Sequence, residues 1–126
     1  MAGNAFLTDI SVTDIYPIVA DALTPAVFHI LLALASGDRH GYGIMKEVLR
    51  QSDGEVRLGA GTIYGTLQRL IEAGWVAEAP RAGPRTVDGR ARRYYRLTSK
   101  GRDALNTDVR RLESLVRAAR GLKEVR

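Results

Sequence analysis

The periodicity of the apolar residues changes at Gly74, and this change limits the fold more than any other feature of the chain. Before Gly74, apolar residues recur at the three- and four-residue spacings of amphipathic helices. After it, Trp75–Glu78 and Arg92–Leu97 alternate as strands do, and the loop Pro80–Ala91 between them is rich in proline, glycine and arginine. The chain is therefore predicted to be mainly α-helical with a small β-hairpin.

Three short helices are predicted between residue 24 and this hairpin, and a longer one after it. The first begins at Pro25 and is apolar on nearly all its sides, so we expect it to be buried. The next two are Gly41–Gln51 and Gly61–Ala73. The last is capped by Thr98 and extends to about Arg120.

This order of elements is typical of a winged helix-turn-helix domain, whose recognition helix enters the major groove of DNA while the hairpin flanks it. We predict three regions. Residues 1–22 form an N-terminal extension with a short helix at Asp14–Ala22, residues 23–97 form the winged-helix domain, and residues 98–126 form a C-terminal dimerisation helix with a basic tail. We call residues 80–93 the wing.

Positive charge is concentrated in the last third of the chain. Residues 81–126 carry 14 basic and 5 acidic side chains, whereas residues 1–80 carry 5 basic and 9 acidic ones. Such a block suits nucleic acid, although a solvated charged surface has the same composition. Arginines on a loop can follow backbone phosphates, and we expect Arg90, Arg92 and Arg93 of the wing to do so.

The predicted helix Gly61–Ala73 has one apolar and one polar face. Four apolar residues at helical spacing are expected to face the core: Ile63, Leu67, Leu70 and Ile71. The polar face has hydroxyl, amide and guanidinium groups that can bond phosphates or base edges. We predict that this recognition helix contacts DNA through Thr62, Tyr64, Thr66, Gln68 and Arg69.

A heptad pattern runs along the last predicted helix. Five residues are spaced by four and three in alternation, as in a stripe that packs on another helix: Leu105, Val109, Leu112, Val116 and Ala119. Packing within the same domain is the alternative. We predict a homodimer, because the helix projects beyond the compact core and a symmetric dimer matches a palindromic DNA site.

Other classes of protein have little support in the sequence. There is no cysteine, and therefore no disulfide framework or thiolate metal site. His29 and His40 have no catalytic or metal-spaced partners, so we predict neither an enzyme nor a cofactor; His40 at a helix start is expected to bond backbone groups. No apolar run suits a membrane span, and the first residues do not resemble a signal peptide, which favours a cytoplasmic protein.

Several short motifs, in this order and spacing, resemble the PadR family of bacterial transcriptional regulators. The resemblance spans about residues 23–115. It is carried by His40-Gly41-Tyr42-Gly43-Ile44, Gly61-Thr62-Ile63-Tyr64, Leu67, Leu70, Ala73-Gly74-Trp75, Arg93-Tyr94-Tyr95-Arg96-Leu97-Thr98 and Lys100-Gly101-Arg102.

The resemblance implies a homodimeric winged-helix repressor of the short form, released from its operator by a small molecule or another signal. Tyr64 and its neighbours would lie on the recognition helix, and Tyr42 and Lys46 on the helix before it. Arg92 and Arg93 would lie at the wing. Gly65 stands where family members often have proline.

Two other functions fit the same elements. A winged helix can act as a protein-interaction module without specific DNA binding, or as a small-molecule-binding scaffold with incidental affinity for DNA. The arginines of the wing favour DNA over the interaction module, which has no need of them.

Overall fold

The computed structural model describes residues 22–80 and 93–122, and the structural statements below refer to these residues. Their elements are α1 (Pro25–Ala35), β1 (Arg39–His40), α2 (Gly41–Gln51), α3 (Ala60–Glu72), β2 (Val76–Ala79), β3 (Tyr94–Leu97) and α4 (Ser99–Arg120). The predicted order of three helices, a hairpin and a fourth helix is confirmed. Residues 14–21 of the helix predicted at Asp14–Ala22 lie outside the described residues, and so do the wing residues Arg90 and Arg92.

The chain divides into two compact units. Residues Thr24–Asn106 form one, and residues 107–122 belong to the other, so α4 contributes its first residues to one unit and the remainder to the second. None of the helices in the described ranges combines the length and the apolar character that crossing a membrane requires.

The core of the first unit lies between α1, α2, α3 and the sheet. α1 begins as expected: Thr24 caps it by accepting a hydrogen bond from the N–H of Val27 at 3.2 Å, with Pro25 in the first turn. Side chains from six elements fill the core: Ile30, Leu31, Leu34, Ile44, Val48, Ile63, Leu67, Leu70, Val76, Ala79, Tyr95 and Leu105. The predicted burial of the first helix holds for Ile30, Leu31 and Leu34. Val27 and Phe28 are only partly buried, and Leu32 is 37% exposed.

The sheet has three antiparallel strands in the order β1-β3-β2. The predicted hairpin is present as β2 and β3, and the alternation in β3 is seen in buried Tyr95 beside exposed Arg96. β1 was not predicted, because a strand of two residues is too short to show any alternation. It pairs Arg39 with Tyr95 and thereby attaches the start of α2 to the hairpin.

Thr98 joins the end of α3 to the start of α4. Its hydroxyl accepts a hydrogen bond from the N–H of Gly101 at 3.0 Å, which caps α4 as predicted. The same hydroxyl donates to the carbonyl of Gly74 at 2.7 Å. Gly74 follows α3 with φ of 82°, the left-handed conformation that ends a helix. The base of the hairpin is therefore held to α3 at both strands.

Candidate nucleic-acid interface

One face of α3 is polar and exposed to solvent. Thr62, Gln68 and Arg69 are exposed, and Tyr64 keeps 49% of its surface accessible. The N-cap residue Gly59 has no side chain to offer, so the first N–H groups of α3 have no side-chain cap among the described residues. A helix end of this kind, with a polar face beside it, can accept a phosphate group.

The apolar face of α3 differs from the prediction at two positions. Ile63, Leu67 and Leu70 are buried as expected, but Ile71 is only partly buried. Thr66, predicted on the exposed face, is 3% exposed. Since it follows Ile63 by three positions and precedes Leu70 by four, helix geometry places it on the apolar side.

Buried Thr66 supports a neighbour instead of facing solvent. Its Oγ1 accepts a hydrogen bond from Nη2 of Arg69 at 3.5 Å. The predicted exposure of Thr66 is therefore wrong, because its hydroxyl is buried and its hydrogen-bond partner is Arg69 of the same helix.

α2 presents an aromatic and a cationic side chain beside its N-terminus. His40 caps α2, since its Nδ1 accepts a hydrogen bond from the N–H of Gly43 at 3.0 Å, as expected for a histidine at a helix start. Its ring stacks on that of Tyr42, with centroids 6.4 Å apart. Tyr42 is exposed, and Nζ of Lys46 lies 5.5 Å from its ring centroid, within cation–π range.

The acidic residue of α2 is neutralised by its neighbours. Glu47 accepts a hydrogen bond from Nε of Arg50 at 3.0 Å and lies 3.7 Å from Nη2 of Arg39. The hydrogen bond from Arg50 lowers the pKa of Glu47, partial burial opposes this, and the charges of Arg50 and Arg39 lower it further. The carboxylate therefore remains paired and adds little repulsion toward a polyanion.

Arg93, the described residue at the end of the wing, is exposed and paired. Its Nε donates a hydrogen bond to Oε2 of Glu78 at 3.1 Å, from the neighbouring strand. This bond is the main cause of the raised pKa of Arg93, followed by Tyr95, the charge of Glu78 and, more weakly, Tyr64. Arg93 is therefore bonded across the hairpin to β2.

The predicted dimer stripe on α4 divides into two parts. Leu105 is 4% exposed and belongs to the core of its own chain, so its assignment to the dimer contact is wrong. The reason is that the start of α4 packs within the first unit, the alternative considered for the whole helix. Further along, Leu112 and Val116 are 37% and 51% exposed, whereas Val109 and Ala119 are partly buried.

Leu115 extends this exposed apolar surface and was missed by the sequence reasoning. It is 54% exposed and follows Leu112 by three positions. The heptad spacing did not include it, although its position beside the stripe was a usable signal. We call Leu112, Leu115 and Val116 the apolar patch of α4. Among the described residues, no group of three or more histidine, aspartate or glutamate side chains could hold a metal ion.

Residues 30–107 match the transcriptional regulator PadR-like family. The chain belongs to this family. It is 42% identical over 93 residues to transcriptional regulator Rv3488 of Mycobacterium tuberculosis, which covers 74% of this chain and 80% of that protein. The PadR-like family is one of transcriptional regulators, in agreement with the resemblance carried by the short motifs.

Solved structures of the family share the fold. A PadR family transcription regulator from Clostridium difficile R20291 aligns with a TM-score of 0.63 and 24% identity, covering 79% of this chain and 98% of that one. Bacillus subtilis PadR in complex with operator DNA aligns with a TM-score of 0.56 and 20% identity, covering 66% of this chain and 45% of that one.

Proposed function

We propose that this PadR-like regulator binds operator DNA in a sequence-specific manner, with α3 in the major groove and the wing along the backbone. The observation that carries the proposal is the polar, exposed face of α3, which begins at an uncapped N-terminus. Membership of the family supports it, and so does the fold shared with Bacillus subtilis PadR, which was solved on operator DNA.

In this proposal, three sets of side chains make different kinds of contact with DNA. Thr62, Tyr64, Gln68 and Arg69 offer the groups that read base edges or reach phosphates. Tyr42 and Lys46 of α2 add an exposed aromatic ring and a cation 5.5 Å from its centroid. Arg90, Arg92 and Arg93 of the wing supply phosphate contacts, which give affinity without sequence information.

We infer that the functional unit is a homodimer that buries the apolar patch of α4 against a second copy, and that it recognises a palindromic operator. An exposed group of three large aliphatic side chains on one helix favours such a partner. In keeping with the family resemblance, we infer that the protein is a cytoplasmic repressor whose binding is relieved by a small-molecule or other effector.

Selection of bound fragments from the protein's own genome tests the proposal. We expect an inverted repeat among the recovered fragments, because a symmetric dimer places two recognition helices on related half-sites. Recovery of fragments with no shared sequence would contradict specific binding and favour a role as a protein-interaction module.

Tyr64→Ala tests the reading of sequence by α3. Tyr64 is the fifth residue of α3 and lies near its N-terminal end, the part of a recognition helix that reaches bases. We expect the variant to lose about 1–3 kcal/mol of operator binding in a gel-shift titration, with a smaller loss on scrambled DNA. Because half of this side chain is covered, thermal melting must be measured in parallel. Equal losses on both DNAs would show that Tyr64 does not discriminate between sequences.

A further inference from the structure

Tyr64 occupies the space that a side chain at Gly41 would need. Gly41 is buried at the first position of α2. A Cβ atom placed on it would overlap with Oη of Tyr64 and would lie 2.6 Å from Cζ and 2.8 Å from Cε1. Such distances are far below van der Waals contact, so the tyrosine ring from α3 lies directly against the backbone at the start of α2.

This close approach distinguishes Gly41 from the other glycines nearby. At Gly43, two positions further along α2, a Cβ would meet its nearest neighbour, the His40 ring, at an ordinary 3.5 Å. At Gly61 and Gly65 of α3, a Cβ would have no neighbour within 4 Å. An alanine is therefore accommodated at these three positions, whereas at Gly41 it forces Tyr64 to move.

The surface beneath Tyr64 is held in place. His40 caps α2 through Nδ1, and its ring is also in contact with Tyr94 of β3, with centroids 5.3 Å apart. β1 pairs His40 with Tyr94 through the backbone as well. The start of α2 is thus bonded to the sheet, and the Tyr64 ring lies against it while about half of the residue remains exposed.

We propose that Gly41 is a positioning residue that sets the orientation of Tyr64 for operator recognition. This inference rests on the proposed function, in which Tyr64 contacts the operator. A ring already held in its binding orientation loses less conformational freedom when DNA binds, and it directs its exposed edge toward a defined place in the groove. A methyl group at position 41 displaces the ring and misaligns that contact.

The test is a double-mutant cycle with Gly41→Ala and Tyr64→Ala, and with Gly43→Ala as the matched control on the same helix. Affinities are measured for the operator selected from the genome and for a scrambled duplex. We expect Gly41→Ala to weaken operator binding roughly 10- to 100-fold, the range for one specific contact, with little change on scrambled DNA. Gly43→Ala should bind as the unmodified protein does.

The cycle separates positioning from general damage to the fold. When Tyr64 is already alanine, Gly41→Ala should cost no further operator affinity, because a residue that acts through Tyr64 has nothing left to displace. Thermal melting should show the same coupling. Gly41→Ala should lower the melting temperature of the protein that retains Tyr64, but not that of the Tyr64→Ala variant. Independent, additive losses in operator affinity would overturn the inference.

A second background covers the case in which Gly41→Ala does not fold on its own. Tyr64→Phe removes the hydroxyl oxygen, which makes the closest approach, and keeps the ring. In that background Gly41→Ala should still weaken operator binding well beyond the effect of Gly43→Ala. Equal effects of the two alanines there would overturn the inference.

The outcomes also separate this inference from the proposed function. If no DNA sequence is selected, or if Tyr64→Ala leaves the preference for the operator intact, the reading of sequence by Tyr64 fails, and the inference fails with it. If Tyr64→Ala abolishes the preference while Gly41→Ala retains it, the proposed function stands and only the role of Gly41 is overturned.

Discussion

α3 and the C-terminal part of α4, residues 107–120, are both amphipathic helices, but only α3 has its apolar side covered. Ile63, Leu67 and Leu70 of α3 are buried, and the surface left to solvent is polar. In residues 107–120 the exposed surface includes the apolar patch. The partners that we propose for the two helices therefore have opposite chemistry: a hydrated polyanion for α3 and an apolar helix for α4.

The two helices also bury one polar residue each, and in both cases an arginine three positions later bonds to it. Thr66 accepts from Arg69 at 3.5 Å, whereas Asp108 accepts from Nε of Arg111 at 2.7 Å. The bond to Asp108 joins two charges, and it raises the pKa of Arg111. Arg69 is thus loosely restrained beside a neutral group, while Arg111 is held by a buried carboxylate.

The largest expected effect comes from placing charge in the apolar patch. Leu112→Glu together with Val116→Glu should abolish the proposed dimer, because each unpaired charge buried at an interface costs several kcal/mol. Sedimentation velocity should then show a monomer. The matched control is Ser114→Glu with Ala118→Glu, which adds the same charges at the same spacing on exposed positions of α4. A folded, fully dimeric double variant would move the interface elsewhere.

The order of elements could be predicted because each helix or strand shows the spacing of its apolar residues within its own sequence. The helix Gly41–Gln51 agrees with its prediction at both ends, and the caps Thr24, His40 and Thr98 bond as their residue types suggest. Each of these features involves residues close together in sequence. Local chemistry was therefore sufficient for them.

The errors have two different causes. The polarity of Thr66 predicts an exposed position, whereas its spacing from Ile63 and Leu70 places it on the buried side of the helix. The burial of Leu105, the contact of Gly41 with Tyr64 and the pairing of Arg93 with Glu78 depend on tertiary packing. A heptad pattern states which residues share a face, but it does not state whether that face meets the same chain or another one.

A smaller effect should separate the two arginines that bond to buried polar groups. Arg111→Ala leaves the carboxylate of buried Asp108 without this partner, so we expect the melting temperature to fall by a few degrees. Arg69→Ala leaves a neutral hydroxyl instead, and it should change melting little while weakening operator binding. Adding Asp108→Asn to Arg111→Ala should restore part of the lost stability. If Arg69→Ala melts as low as Arg111→Ala, the contrast between the helices is wrong.

A weaker effect is expected from breaking the ion pair between Glu78 and Arg93 at the end of the wing. Glu78→Gln removes the carboxylate that pairs with Arg93, an exposed pair of the kind worth less than about 1 kcal/mol. The freed guanidinium should raise affinity for all DNA sequences by up to about fivefold and steepen the salt dependence by up to about 0.9 log units per log unit of salt. Glu113→Gln on α4 makes the same change of charge and is the control. A salt dependence unchanged from that of the control would mean that Arg93 does not reach a phosphate.

The smallest effect concerns Gly65, on the exposed side of α3. A Cβ there has no neighbour within 4 Å, so Gly65→Ala should stabilise the protein by about 0.5–1 kcal/mol through helix propensity alone. The same change at Gly74, where φ is 82°, should destabilise it by about 1–2 kcal/mol, which serves as a control for the sensitivity of the melting assay.

The operator affinity of Gly65→Ala then shows whether Gly65 contributes to recognition. If Gly65→Ala is more stable and binds the operator unchanged, the position has no part in recognition. If it is more stable and binds the operator less tightly while scrambled DNA is unaffected, the missing side chain allows the α3 backbone to approach the bases closely. The polar face of α3 would then contribute to recognition through its shape as well as through its hydrogen-bonding groups. The apolar patch of α4 has no hydrogen-bonding groups of this kind.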